Sequence, residues 1–139
     1  MKILTFQARG FGWKAFSQTL EDAPELESPE GVAAECVVGF FHIEARDEPD
    51  DVRKKVFKKT LKHLKWLANK RDFKVIVLHS FTHLGGENAS ADFALAFFEE
   101  LAERLRNTGY TVYITPFGWF SSWTIDVYGD SLAKVFKEF

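Results

Sequence analysis

Residues 35–44, Glu35-Cys36-Val37-Val38-Gly39-Phe40-Phe41-His42-Ile43-Glu44, decide the fold. This is a run rich in Val and Phe, apolar on both alternating faces, which suits a strand buried on each side. Phe73–His79 repeats the pattern, and Tyr110–Thr115 reads as a third strand. The segments between them have helical periodicity. In Asp50–Lys70, Val52, Val56, Thr60, Leu64 and Leu67 recur at three- and four-residue spacing, with Asp50 and Asp51 at the positive end of the dipole. In Ser90–Asn107, Ala94, Phe97, Phe98, Leu101 and Leu105 form an inner stripe, Glu100 and Arg104 are spaced to pair, and Gly109 stands as a stop. Strand, helix, strand, helix, strand predicts parallel strands joined by right-handed crossovers over one sheet.

Working outward, Lys2–Ala8 reads as a strand. Gly10 and Gly12 punctuate a turn and Trp13–Phe16 alternates as a second strand, giving a hairpin. Thr19–Gly31 is acidic, contains Pro24 and Pro29, and reads as a surface loop. After Pro116-Phe117-Gly118, Trp119–Tyr128 is a strand, and Asp130 is placed to cap a short last helix with Leu132, Val135 and Phe136 inward. The expected class is α/β, in the order ββ-β-α-β-α-β-β-α, as one domain spanning residues 1–139. That length fits one core, and 15 Phe supply much of its surface. Cys36 is the sole cysteine, so no disulfide forms within the chain, and it reads as a small buried hydrophobe. No signal-peptide pattern or membrane-length apolar run is seen, which predicts a cytoplasmic protein with no membrane partner.

The net charge of −2 hides an asymmetry. Glu21, Asp22, Glu25, Glu27, Glu30, Glu35, Glu44, Asp47, Glu48, Asp50 and Asp51 face a single base, Arg46, over residues 21–51. Residues 52–71 hold nine bases and no acid, half of all Lys and Arg. Such a helix face is either solvated, offset by the acidic loop, or set against phosphates; Lys55, Lys58, Lys59 and Lys62 are the candidates to meet a nucleic-acid backbone.

Most catalytic signatures are absent. His79 and His83 are four apart but follow a strand, and no acid or cysteine completes a metal set, so neither a metal nor a cofactor is expected. There is no GxGxxG, Walker or GxSxG pattern. Two loops remain. His79–Glu87 follows a buried strand at its carboxyl end, where α/β folds bind ligands. Pro116–Trp123 is dense in rings that suit base stacking. The plainer alternative is that these rings are core and the loops are connectors.

Phe81-x-His83-Leu84 ahead of the second helix, then Pro116-Phe117-Gly118 with two aromatics, resembles the editing domain of archaeal-type threonyl-tRNA synthetases. The strand Glu35–Phe40 fits the same family. The resemblance implies a D-aminoacyl-tRNA deacylase-like fold, usually homodimeric. It implies hydrolysis of serine wrongly esterified to threonine tRNA. A threonine site discriminates poorly against a substrate one methyl smaller, by about 1–3 kcal/mol, so a second site must sieve the product. Carried over, Gly39, Phe40 and Ala94 line the aminoacyl pocket beside Phe81, and Phe117, Gly118, Trp119 and Phe120 hold the terminal adenosine. His83 sits beside the ester.

The chain departs from the family in three places. Ser121 stands where a lysine is usual, Lys134 where a glutamate is usual, and Gln7-Ala8-Arg9 where a His-Ser/Ala-Asp pattern is usual. With His83, Ser121 and Lys134 form the candidate catalytic set: a lysine moved to the last helix would reach toward Ser121, or else Lys134 simply faces solvent. The expected function is an editing hydrolase acting in trans or within a synthetase, with the threonine acceptor tRNA and a threonyl-tRNA synthetase catalytic protein as partners. The alternatives are a deacylase of another aminoacyl group and a silent tRNA-binding or dimerisation paralogue.

Overall fold

The computed structural model describes residues 1–26 and 28–139; Glu27, counted in the acidic loop, lies outside the described residues. The elements are β1 (Lys2–Gln18), β2 (Glu30–His42), α1 (Asp50–Asn69), β3 (Val75–Ser80), α2 (Ala91–Arg106), β4 (Thr111–Ile114), β5 (Trp119–Val127) and β6 (Lys134–Glu138). They form one sheet in the order β4-β3-β2-β1-β5, with β6 also on β1. β2, β3 and β4 are parallel, as the strand–helix alternation requires, and β1 runs antiparallel to β2, β5 and β6.

Both long helices form where their periodicity places them. Val56, Thr60, Leu64 and Leu67 of α1 are buried, as are Phe97, Phe98, Leu101 and Leu105 of α2. They join Ile3, Val37, Phe41, Ile76 and Leu78 in the larger core. Ser90 caps α2 by accepting from the Phe93 amide at 3.2 Å, and Gly109 takes φ +98 just past its end. Glu100 bonds to Arg53 on α1 and not to Arg104, whose guanidinium lies over the Phe57 ring.

Two expectations fail. The first hairpin is a single 17-residue strand. Neither Gly10 nor Gly12 has a positive φ; each pairs on both sides, Gly10 with Ala34 and Asp126, Gly12 with Val32 and Thr124. A Cβ on Gly12 would lie 3.0 Å from the Thr124 hydroxyl, so this glycine marks close approach within a sheet. Beside it, Arg9 and Glu35 drop out of the ladder, Glu35 at φ +48. That break turns Phe11, Trp13 and Ala33 to the face already held by Ala8, Cys36, Val38 and Phe40, building the second core.

The C-terminal helix is also absent. One 3-10 turn, Ser131–Ala133, leads into β6, whose Lys134 to Glu138 pair with Phe6 to Lys2. β5 accompanies β1 only from Ala8 onward, and the edge left open at Lys2–Phe6 takes up the last residues as a strand. Local propensity yields to unpaired backbone groups there. Cys36 is buried, and burial, with Glu35 nearby, pushes its thiol up to about 12, which fits an inert hydrophobe. Among the described residues no helix is long and apolar enough to cross a membrane.

Leu64 is fully buried whereas Phe136 is half exposed on β6. We expect Leu64→Ala to lower unfolding free energy by about 2–5 kcal/mol. Phe136→Ala should change it by no more than about 0.5 kcal/mol. Urea denaturation of both variants checks the assignment of faces.

Candidate active site

A cavity of about 340 Å³ opens where β3 ends, walled by the following loop, the first turn of α2, the β4–β5 loop and the start of β5. His83, Phe81, Ala94, Phe117, Gly118, Trp119, Phe120 and Ser121 all line it. Two segments more than thirty residues apart in sequence thus converge on one space.

Glycine geometry sets each wall. Gly118 has φ +82, and its carbonyl accepts from the amides of Thr19 (2.7 Å) and Leu20 (3.2 Å). A Cβ there would meet that of Ala23 at 2.8 Å, so the aromatic loop closes on the end of β1 only with glycine. On the other wall Gly86 (φ +87) lies so close to the Glu44 carboxylate that a Cβ would stand 1.8 Å from Oε2. The Ala45 amide donates to Glu87 O at 2.8 Å and the Ala89 amide to Ile43 O at 3.1 Å, stitching the same loop to the end of β2.

Glu44 anchors this corner. It is 3 % exposed, with Lys2 Nζ at 2.7 Å, the Met1 ammonium at 3.1 Å and Arg46 Nη2 at 3.0 Å. Burial alone would raise its carboxyl, but the hydrogen bonds from Lys2, Met1 and Arg46 outweigh that and bring it to about 2.

Among the described residues no Asp, Glu, Lys or Arg lines the cavity. His79, on its floor, is pushed down to about 4 by burial and is neutral near pH 7. Its Nδ1 lies 2.8 Å from Thr115 Oγ1, and that hydroxyl is directed to the Leu78 carbonyl at 3.4 Å, leaving Nε2 as the ring's acceptor. Ser121 Oγ and Trp119 Nε1 are buried with no hydrogen-bond partner among the described residues. Among the described residues no three His, Cys, Asp or Glu are grouped to hold a metal ion.

Other anticipated residues are elsewhere. Gly39 and Phe40 do not line the cavity. Gly39 sits mid-strand under the Phe41 ring, while the Phe40 ring supports the wall from below, 5.4 Å from Phe81 and 5.2 Å from Trp123. Lys134 is neither helical nor near Ser121: it pairs with Phe6 while Ser121 pairs with Ala15. Nine residues of strand separate the two by roughly 30 Å. Its ammonium donates to the carbonyls of Tyr128 (3.0 Å) and Gly129 (3.2 Å), so no relocated lysine serves this cavity. Lys55, Lys58, Lys59 and Lys62 are exposed on α1, and among the described residues none forms an ion pair with the acidic loop. Trp123, at the end of the ring-dense loop, also lines the cavity, whereas sequence reasoning missed Thr19, Leu20 and Asn88; only the placement of Asn88 just after the Gly85-Gly86 pair carried any signal.

The architecture defines a class. A solved structure, "c-Myc DNA Unwinding Element Binding Protein", matches with a TM-score of 0.66 over 99% of this chain and 98% of its own at 14% identity, and the fold is D-aminoacyl-tRNA deacylase-like. Residues 1–139 match the family described as the Archaea-specific editing domain of threonyl-tRNA synthetase, and the chain belongs to that family. It is 36% identical over 140 residues to a threonine–tRNA ligase of Staphylothermus marinus, covering 99% of this chain and 22% of that protein. It is 26% identical over 137 residues to that of Thermococcus sibiricus, covering 97% of this chain and again 22% of the relative. The chain therefore spans about a fifth of the relatives it matches.

A group whose folded pKa is depressed contributes stability above its unfolded value, and that contribution is lost as pH falls through the folded one. For Glu44 the window runs from its ordinary 4.5 down to about 2. Between pH 5 and pH 3 the wild type should lose denaturant stability more steeply than Glu44→Gln, measured as midpoint against pH.

Proposed function

We propose that this domain hydrolyses the ester of mischarged threonine tRNA, with serine as the group released. The observation that carries the reading is the convergence of Phe81, His83 and Ala94 with the Phe117–Phe120 loop on one cavity, in a chain of the editing family. Rings of Phe117, Trp119 and Phe120 suit stacking with the terminal adenosine. The small Ala94, in the first turn of α2, leaves room for an aminoacyl group at the positive end of the helix. In a cavity without charged walls, neutral hydroxyls, amides and that dipole bind and orient the ester, and His83 stands at its rim. The domain acts in trans or as part of a synthetase, with a threonyl-tRNA synthetase catalytic protein as partner.

A homodimer accords with the apolar surface left open at Phe16 and Val32, 81 % and 79 % exposed. The basic face of α1 would meet tRNA phosphates, since no acid of this chain offsets Lys55, Lys58, Lys59 or Lys62 among the described residues. A second reading, a tRNA-binding paralogue without catalysis, is favoured by one observation: Ser121 offers a hydroxyl where the family's lysine would stand, and no Lys or Arg among the described residues lines the cavity.

Incubation with seryl- and threonyl-tRNA for threonine decides between them. We expect faster release of serine than of threonine, and slower release by His83→Ala with tRNA affinity retained. Release of neither amino acid, with tRNA still bound, establishes the silent paralogue.

Changing Lys55, Lys58, Lys59 and Lys62 to Ala should weaken tRNA binding and flatten its dependence on salt. The log–log slope should fall by about 1 for each phosphate that the variant no longer neutralises. An unchanged slope in a filter-binding titration assigns this helix face to solvent.

A further inference from the structure

One side-chain pair at the carboxyl end of β2 has no part in the reading above. His42 is 1 % exposed, and its Nε2 lies 2.7 Å from Oδ1 of Asn88. The other ring nitrogen, Nδ1, is buried without a partner among the described residues. Asn88 is exposed and lines the cavity. A neutral imidazole carries one N–H and one lone pair. A buried N–H without an acceptor is rarer than an under-used acceptor. The hydrogen therefore belongs on Nε2, donating to Asn88 Oδ1, and the lone pair is what Nδ1 leaves unused.

That assignment orients the amide. With Oδ1 turned onto His42, the NH2 group, two donors and no acceptor, is the end left for the cavity. The backbone beneath it is held too, by the Glu44–Asn88 bridge and by the Ala89 amide donating to Ile43 O.

We propose that Asn88 is a catalytic residue whose NH2 donates to the acyl oxygen of the bound ester, and that His42 is the positioning residue that fixes this amide. The proposal rests on the deacylase reading. In that reaction the oxygen of water bonds to the acyl carbon and the C=O electron pair moves onto the acyl oxygen. Collapse then breaks the bond to the ribose oxygen, which takes up a proton; the amino acid leaves as a carboxylate, and the second proton of water passes to solvent. Negative charge on the acyl oxygen finds no ammonium or guanidinium on the cavity wall. An amide pre-set by a buried ring stabilises that charge without reorganising during the reaction.

Single-turnover release of serine from seryl-tRNA tests it with wild type, Asn88→Ala, Asn88→Asp, His42→Leu, His42→Gln and the double variant His42→Leu/Asn88→Ala. Asn88→Ala and the isosteric Asn88→Asp should each lower the rate constant about a hundredfold with the half-saturating tRNA concentration unchanged. His42→Leu should slow release less, and His42→Gln, whose amide can stand where Nε2–H stands, should restore most of it. The double variant should be no slower than Asn88→Ala. If His42→Leu fails to fold by circular dichroism, the two Asn88 variants carry the test. Wild-type rates in both, from an enzyme that releases serine, overturn this assignment alone, as does a loss confined to tRNA affinity. No serine release from the wild type overturns the deacylase reading and this assignment with it.

Discussion

The buried carboxylate of Glu44 is the constraint on which the rest of this molecule turns. An ionised group removed from water costs several kcal/mol unless its oxygens are filled, and here three cations fill them. Two of those cations come from Met1 and Lys2, at the start of β1, and the third from the turn after β2, so one charge fixes the start of the longest strand against the end of its neighbour. The same carboxylate occupies the space that a side chain at position 86 would need. Only glycine lets the loop that walls the cavity pass over it. A charge cluster outside the cavity thus decides where His83 and Asn88 stand.

β1 then distributes that order across the sheet. It has β2 along one side and β6 followed by β5 along the other. Three antiparallel partners on one strand make it a spine, and the break at Arg9 and Glu35 lets its two halves feed two cores. Tyr128 braces the break. Its hydroxyl donates to Glu35 Oε2 at 2.5 Å, and the guanidiniums of Arg9 and Arg71 lie 4.3 Å and 3.9 Å from its ring centroid. The second core ends in the rings of Phe40, Phe81 and His79, which pack edge-on or tilted against one another below the cavity. The floor of the site is a continuation of the sheet's own packing, which gives it rigidity that loops alone lack.

What was legible in the sequence follows from how local each signal is. The helices were readable because their stripes repeat over four or more turns, and α2 is flanked by single residues with local chemistry, Ser90 and Gly109. β2 and β3 were readable because burial on both faces leaves continuous apolar runs. The first hairpin was misread because a glycine at a close strand approach and a glycine in a turn look alike until the partners are known. Residues 130–138 were misread because what makes them a strand is an open edge on β1, more than a hundred residues away. Of the residues that line the cavity, Phe81, His83, Ala94 and Phe117–Ser121 were anticipated, but Asn88 was not, since its partner is a histidine 46 residues earlier.

The cavity's lack of charge bears on how an editing site discriminates. A site that grips its substrate through an ion pair draws much of its affinity from a term shared by every amino acid, and that term does not separate serine from threonine. One methyl is worth about 1–3 kcal/mol wherever it is sensed, so a useful sieve must make that increment decisive. A wall of hydroxyls, amides and rings, with glycine loops that pass close to Glu44 and Ala23, meets a substrate by its shape. If this cavity sieves serine from threonine, excluding the larger amino acid depends on the wall's stiffness. The close approaches at Gly86 and Gly118 are where its two loops pack most tightly, one against a buried charge and the other against the turn that follows β1.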